Sequence, residues 1–267
     1  DFDMLKAPLD PEERARIDAE DNTSLILVDI PTIEMEGKDF VYSTIPLGIL
    51  TTENHLITVC LKDSHIMRDF AQNHVKGFFT YKKTRFILQI LYRNASRYLQ
   101  YLRQIDKKTN AIETEPQRTL RNQELMQLMR LEKSLVFFAT SLKSNEIVLE
   151  KLLRSDLIRR FPDDEDLLED VIIENKQAIE MCAIYRDILS STMDAFSSVI
   201  SNNVNDIMKV LTSLTLVLSI PTLIASIWGM NVKVPFEGDS VGFWILLGAS
   251  LLASIISIVI LSKRRML

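Results

Sequence analysis

The sequence predicts an α+β cytoplasmic domain, a small sheet with long helices, that runs on into two C-terminal transmembrane helices. Three observations carry the prediction. Residues 210–232 and 240–262 are two runs of 23 positions without a charge, and about 20 apolar residues suffice to cross a bilayer's hydrocarbon core. Residues 78–228 contain no glycine over 151 positions, which suits helices and argues against the phosphate loops and tight turns of an α/β enzyme. The first third, by contrast, is β-rich and punctuated. A buried core helix usually meets a charge within about 14 residues, so the neutral runs read as a membrane hairpin.

The 267 residues are 47% hydrophobic with a formal net charge of −5, too apolar for disorder and without the basic face of a nucleic-acid binder. Cys60 and Cys182 stand too far apart in the chain for a disulfide framework. Charge is uneven: residues 1–53 hold thirteen acids against four bases, 54–203 twenty against twenty-two, and 204–267 three against five. Lys209 precedes the first neutral run and Lys263, Arg264 and Arg265 follow the second, whereas the loop between them carries Lys233 against Glu237 and Asp239. The positive-inside rule places both termini in the cytoplasm and only this loop outside. The acidic start resembles no targeting peptide, and because residue 1 is Asp, earlier residues are expected.

The elements follow in order. Runs 24–30, 40–45, 47–50 and 55–61 are short and β-rich, separated by Pro31, Gly37, Pro46 and a Glu53-Asn54 turn, and predict a small antiparallel or mixed sheet. Beyond Gly77, Phe86, Ile87, Ile90, Leu91, Asn94, Tyr98, Tyr101, Leu102 and Ile105 recur at helical steps. Pro116 should kink or end a helix. A second helix, roughly 122–153, carries Leu125, Leu128, Met129, Glu132, Leu135, Val136 and Ala139 on one face. Pro162 should end the next short segment, with Asp163 and Asp164 opening a third helix. From Asp163 to Trp228 only Pro221 interrupts, so this helix spans about 100 Å and needs partners along its length, which points to an oligomeric bundle. The organisation is a partial α/β domain at 1–77, a helical hairpin at 78–162 and a stalk helix continuing into the first span at 163–232. An outer loop at 233–239, the second span at 240–262 and a basic tail at 263–267 complete it.

The first span is unusual. Asn205, Met208, Thr212, Thr215, Ser219, Thr222 and Ser226 are spaced three and four apart alternately, a seven-residue repeat that keeps one helix face. Small polar residues can mediate tight packing between membrane helices. In a ring of subunits the same stripe would line a watery path. Because the span carries no acid or base, a proton relay or ion-paired transport site is not expected, and neutral oxygens would meet a permeant ion through its water.

At the outer end stands Trp228-Gly-Met-Asn231, followed by a short acidic loop and a basic tail. In this position the tripeptide resembles the Gly-Met-Asn signature of the CorA family of divalent-cation channels, with Trp228 where the family usually has Tyr. Asn205-Asp-Ile-Met-Lys-Val-Leu-Thr212 resembles the cytoplasmic start of the family's pore helix, and Pro221-Thr-Leu-Ile-Ala its mid-span. Leu9-Asp-Pro-Glu-Glu-Arg14, Leu47-Gly-Ile-Leu50 and His55-Leu-Ile-Thr-Val59 are similar to its cytoplasmic domain. The likeness covers most of the chain, with opening strands absent.

The resemblance implies a funnel-shaped homopentamer that passes Mg2+, with Co2+ and Ni2+ often accepted. Mg2+ sheds its water reluctantly, so five Asn231 amide oxygens could accept hydrogen bonds from a hydrated ion, with Gly229 turning the chain at φ > 0 and Met230 between them. Glu237 and Asp239, repeated around the ring, would concentrate cations at the mouth, although a merely solvated loop reads equally well. By position, Asn205 matches the family's polar ring at the pore's cytoplasmic end, Met208 its constriction and Leu211 a second apolar ring. Thr215, Ser219, Thr222 and Ser226 match pore-facing positions. Pro221 is displaced by one residue, and Ser226 replaces a family glycine.

The run Asp163, Asp164, Glu165, Asp166, Glu169 and Asp170 is by itself a solvated, dipole-matched helix start. Asp170 lies 35 residues before Asn205, where the resemblance implies an acid that shares a regulatory Mg2+ across the subunit interface. Its partner is expected from the sheet domain, Asp69 first and Asp63 second. His55, His65 and His74 lack zinc-site spacing. Without a Walker motif or glycine-rich nucleotide loop, neither an organic cofactor nor enzymatic chemistry is expected. Two other readings stand beside the channel: a related zinc transporter, and a non-conducting, membrane-anchored coiled-coil sensor.

Overall fold

The computed structural model describes residues 2–20, 23–36, 39–114, 122–155, 162–231 and 240–264. It divides into two units, Asp1–Asp194 and Ala195–Leu267.

The first unit is built on one antiparallel sheet, β1 (Arg16–Glu20), β2 (Thr23–Glu36), β3 (Asp39–Thr51) and β4 (Leu56–Cys60), in the order β1-β2-β3-β4. The short runs predicted around Pro31 and Pro46 are two long continuous strands. Both prolines sit inside the β2–β3 ladder, Pro31 opposite Thr44 and Pro46 opposite Asp29. The reason is one of edges. β1 pairs with β2 only up to Leu27, and β4 with β3 only from Leu47. Beyond those points each strand has one neighbour, and a proline's missing N–H can face the open side at no cost to the ladder. The Glu53-Asn54 turn is present, closed by Thr52 N–H to His55 O at 2.9 Å. Gly37 and Pro116 lie outside the described residues.

Alternation on these strands sorts the core. Ile26 faces Ile49, Val28 faces Leu47 and Ile30 faces Ile45, and all six pack with Ile87, Leu91, Leu149 and Val171 from three helices. On the reverse face, Leu25 and Leu50 pack with Met4, which the short helix α1 (Phe2–Lys6) delivers. That helix, β1 and α2 (His65–Ala71) were not legible in the sequence pattern. α2 is held by Ser64, whose hydroxyl accepts from Ile66 N–H, an N-cap in an extended residue.

Three long helices complete the architecture: α3 (Lys83–Glu113), α4 (Asn122–Arg154) and α5 (Pro162–Trp228). Pro162 opens α5 instead of ending a preceding segment, since proline is preorganised for the first helical position. In the first unit α4 and α5 are antiparallel and joined at two levels. Asn175 Nδ2 donates to Leu142 O at 3.2 Å and Cys182 Sγ to Leu135 O at 3.3 Å. Tyr42 of β3 lies against Tyr101 and Phe138, with ring centroids 5.6 and 6.3 Å away, fastening the sheet to α3 and α4.

The second unit contains the end of α5 and α6 (Ser240–Lys263). Both helices are long and apolar enough to cross a membrane, and only 6% of the most apolar window of each is buried. A soluble core helix would be mostly buried there.

Candidate functional site

In the second unit, two faces of α5 have different fates. Ser213, Val217, Ile220, Pro221, Ile224 and Trp228 lose solvent, as do Gly242, Leu246, Ser250, Ser254, Ser257 and Leu261 on α6. Both sets recur at three- and four-residue steps, the signature of a packed helix pair. Asn205, Met208, Thr212, Thr215, Ser219, Thr222 and Ser226 are all exposed. At 3.6 residues per turn this stripe lies about half a turn from the packed face. The polar residues therefore do not glue the hairpin together.

The hydroxyls have a second property. Thr215 Oγ1 donates to Leu211 O at 2.9 Å, Ser219 Oγ to Thr215 O at 2.7 Å and Thr222 Oγ1 to Leu218 O at 2.9 Å. Each spends its only proton on the preceding turn and leaves its lone pairs as acceptors. Water around a cation points its hydrogens outward, so such a surface accepts from a hydrated cation.

At the lower end of the stripe Asn202, Asn205, Asp206, Met208, Lys209 and Thr212 form an exposed, mostly polar patch. Lys209 Nζ pairs with Asp206 at 2.9 Å within it. Leu211 is exposed beside the stripe. At the upper end, Gly229 N–H still bonds Ala225 O at 2.9 Å and Met230 N–H reaches Ile227 O at 3.4 Å. Gly229 is not left-handed; among the described glycines that conformation belongs to Gly77, at φ 67°. The helix ends by tightening from a four-residue to a three-residue step, so no reversal of φ is needed. Met230 and Asn231 are exposed beyond Gly229, and Glu237 and Asp239 lie outside the described residues.

The acids of the first unit are differently engaged. Asp69 is held by two guanidinium groups, Arg97 at 3.2 Å and Arg93 at 3.6 Å. Asp63 pairs with Arg68. Asp164 is buried and faces Arg85 at 3.6 Å, while Asp170 is exposed. No three His, Cys, Asp or Glu side chains converge into a metal site among the described residues. A cation at Asp69 would compete with both arginines. Arg93 and Arg97 stand four apart on α3, a spacing that the sequence displayed.

A buried polar cluster went unremarked in the sequence. Asp29 lies where β2 loses β1 as a neighbour, and its peptide is captured by helix side chains. Its N–H donates to Asn145 Oδ1 at 2.8 Å. Its carbonyl accepts from Asn94 and Asn145 at 2.8 Å and from Tyr98 at 3.2 Å. Asn145 makes both bonds that a strand partner would make. Burial pushes the Asp29 carboxyl up to about 6, partly offset by the Ser141 hydroxyl. The signal was available as a lone acid within the apolar run 24–30.

A sheet-and-helix unit followed by a long helix, a two-span hairpin and a polar stripe turned away from its partner span describes a membrane transporter of hydrophilic cargo. The chain matches the family described as CorA-like Mg2+ transporter protein over residues 1–264, and it belongs to that family. Among its relatives, the cobalt/magnesium transport protein CorA of Methanocaldococcus jannaschii is 28% identical, over 98% of this chain and 82% of the relative. That of Thermotoga maritima is 29% identical, over 64% of this chain and 49% of the relative. The complete structure of the M. jannaschii CorA magnesium transporter superposes with a TM-score of 0.79 at 26% identity, covering 96% of this chain and 81% of that one.

Proposed function

We propose that the protein is a passive channel for hydrated divalent cations, Mg2+ first and Co2+ or Ni2+ with it. Ions would enter the cytoplasm through a homopentameric pore lined by α5. One observation carries the reading: a polar stripe on an otherwise apolar span faces away from the other membrane-capable helix among the described residues. Exposed to lipid, it would leave polar side chains without water; facing an axis shared with other copies, it lines a wet path. Membership of a Mg2+ transporter family and the cobalt/magnesium relatives support the choice of cargo. The protein is read as a transporter rather than an enzyme.

In this reading the ring of Asn231 at the outer end accepts hydrogen bonds from the ion's water, with Gly229 and Met230 beneath it. Thr222, Thr215 and Ser219 continue that contact through lone pairs freed by their backbone bonds, and Thr212 and Ser226 extend it in both directions. Met208 and Leu211 form the apolar constriction that closes by excluding water, and Asn205 marks the cytoplasmic end. Glu237 and Asp239 concentrate cations outside, which fits both termini lying in the cytoplasm. A stalk that only signals has no use for such a stripe. Regulation by cytoplasmic Mg2+ at Asp170 is part of the reading. Its partner acid, Asp69, would have to exchange Arg93 and Arg97 for the ion.

The test is Mg2+ flux into vesicles containing the purified protein, measured against internal Mg2+. Wild type should conduct and be inhibited as internal Mg2+ rises. Asn231→Ala should lose at least tenfold in flux with its assembly mass unchanged, and Asp170→Ala should shift inhibition to higher Mg2+. Zn2+ flux without Mg2+ flux would favour a zinc transporter, and no flux of either would leave the sensor reading. Undiminished flux in Asn231→Ala would remove Asn231 from the path, and an unmoved inhibition curve would reduce Asp170 to a solvated acid.

A further inference from the structure

The first unit has two long helices that are apolar on opposite sides, although one apolar stripe is enough to seat a helix on a core. α4 buries Leu128, Leu131, Leu135, Phe138 and Leu142, yet about half a turn away Met126, Met129, Val136, Phe137 and Ile147 are 39–67% exposed. α5 buries Leu168, Val171, Ala178, Cys182 and Leu189, and about half a turn away exposes Ile173, Ile184 and Ile188 by 61, 56 and 42%. Large exposed apolar faces on a folded unit mark contact surfaces.

We propose that these faces meet between copies: the outer face of α4 in one subunit packs on the outer face of α5 in the next. The contact is head-to-tail, of the kind that closes into a ring. It rests on the ring assembly proposed above and assigns that ring its cytoplasmic interface.

Charge selects this pairing over that of α4 with α4. The exposed α4 face carries Lys133 and Lys143 among its apolar residues, and the exposed α5 face carries Glu180 and Asp187. Pairing α4 with α4 would oppose Lys133 and Lys143 to themselves. The crossed pairing sets those bases against Glu180 and against Asp187, which already touches Arg186 at 3.8 Å at the margin of its face.

Register agrees. Within one copy Asn175 is level with Leu142 and Cys182 with Leu135. Six residues further up α5 and six back along α4, Ile188 is level with Met129. On the same count Ile184 is level with Lys133, which places the Lys133 ammonium within about one helical turn of both Glu180 and Asp187. Rotation about an axis parallel to these helices keeps every level, so Ile188 of one copy meets Met129 of the next. Lys133 already lies over the Phe137 ring at 5.7 Å, its charge held on the exposed face.

The experiment is cysteine cross-linking in the full chain, in membranes, with copper phenanthroline as oxidant, in a Cys60→Ser/Cys182→Ala background that removes the two native free thiols. In Met129→Cys/Ile188→Cys the two thiols lie on outward faces of helices packed through their inner sides, beyond the roughly 7 Å Cα separation a disulfide tolerates. A bond can therefore form only between copies. The double variant should give a ladder of covalent oligomers. Met129→Cys and Ile188→Cys, differently tagged and co-expressed, should give a mixed two-chain product, and neither alone should cross-link. Absence of the ladder in a sample whose unoxidised mass is that of a ring would overturn the assigned faces and leave the ring intact. Self-linking of either single variant would also overturn them. A monomeric mass in unoxidised membranes extracts would bring down the ring reading itself, and the interface with it.

Discussion

The two units treat polar groups in opposite ways. In the first unit, the Asp29 peptide is met from inside the chain: Asn145 takes the place of a strand beside it, with Asn94 and Tyr98 completing its carbonyl. In the second, Thr215, Ser219 and Thr222 satisfy only their own protons, against their own backbone, and present their acceptors outward from a span rich in exposed leucine and isoleucine. Folding alone accounts for the polar groups around the Asp29 peptide, whereas the hydroxyls of the hairpin make sense only with water and other copies along their face.

That contrast can be broken at Asn145. Replacing it with Ala strands the Asp29 N–H in a buried position, a loss of about 1–3 kcal/mol. The expected result is thermal unfolding several degrees lower, read by calorimetry on the detergent-solubilised protein. An unchanged melting temperature would mean that water replaces Asn145 at the sheet edge, and that the Asp29 peptide does not depend on it.

The matching change in the hairpin should do the reverse. Thr215→Val and Ser219→Ala remove hydroxyls whose backbone bonds add little to a helix. Stability should move by less than about 0.5 kcal/mol, as at surface sites, while Mg2+ flux falls several-fold. If instead flux is kept and assembly mass is lost, the stripe serves helix packing between copies and not conduction.

Legibility followed the same division. The spans, the stripe and the long helices could be read because each is a periodic pattern over many residues: the charge-free runs around Thr215 and Ile255, and the apolar steps from Phe86 to Ile105. The ends of elements were not. Pro31 and Pro46 looked like strand breaks because the sequence does not record where a neighbouring strand stops, and Pro162 looked like a stop because its role depends on which side the helix lies. Gly229 was expected to reverse the chain, yet the helix closes by tightening. At the site, stripe membership was legible from spacing alone. Which way the stripe faces was not, because that depends on where α6 packs. The pairing of Asp69 with Arg93 and Arg97 was hidden for the same reason, since it joins α2 to α3.

The smallest expected effect sharpens the first half of the comparison. The Asp29 carboxyl is raised from an ordinary 3.8 to about 6, chiefly by burial, with only the Ser141 hydroxyl pulling it back. Between those two values the folded protein holds a proton that the unfolded chain has released. Stability must then fall as pH rises through this window, because the slope follows the protons bound by the unfolded state minus those bound by the folded one. The contribution is fully present below about 4 and gone above about 6. Every other titrating group adds its own slope, so the raw pH profile does not isolate Asp29. The difference between wild type and Asp29→Asn does, since every other group is common to both. Relative to the variant, wild type should lose a few degrees of melting temperature from pH 4.5 to pH 7 and nothing more from pH 7 to pH 8. A flat difference across the acid range would mean that Asp29 titrates near its ordinary value, and that its pocket admits water.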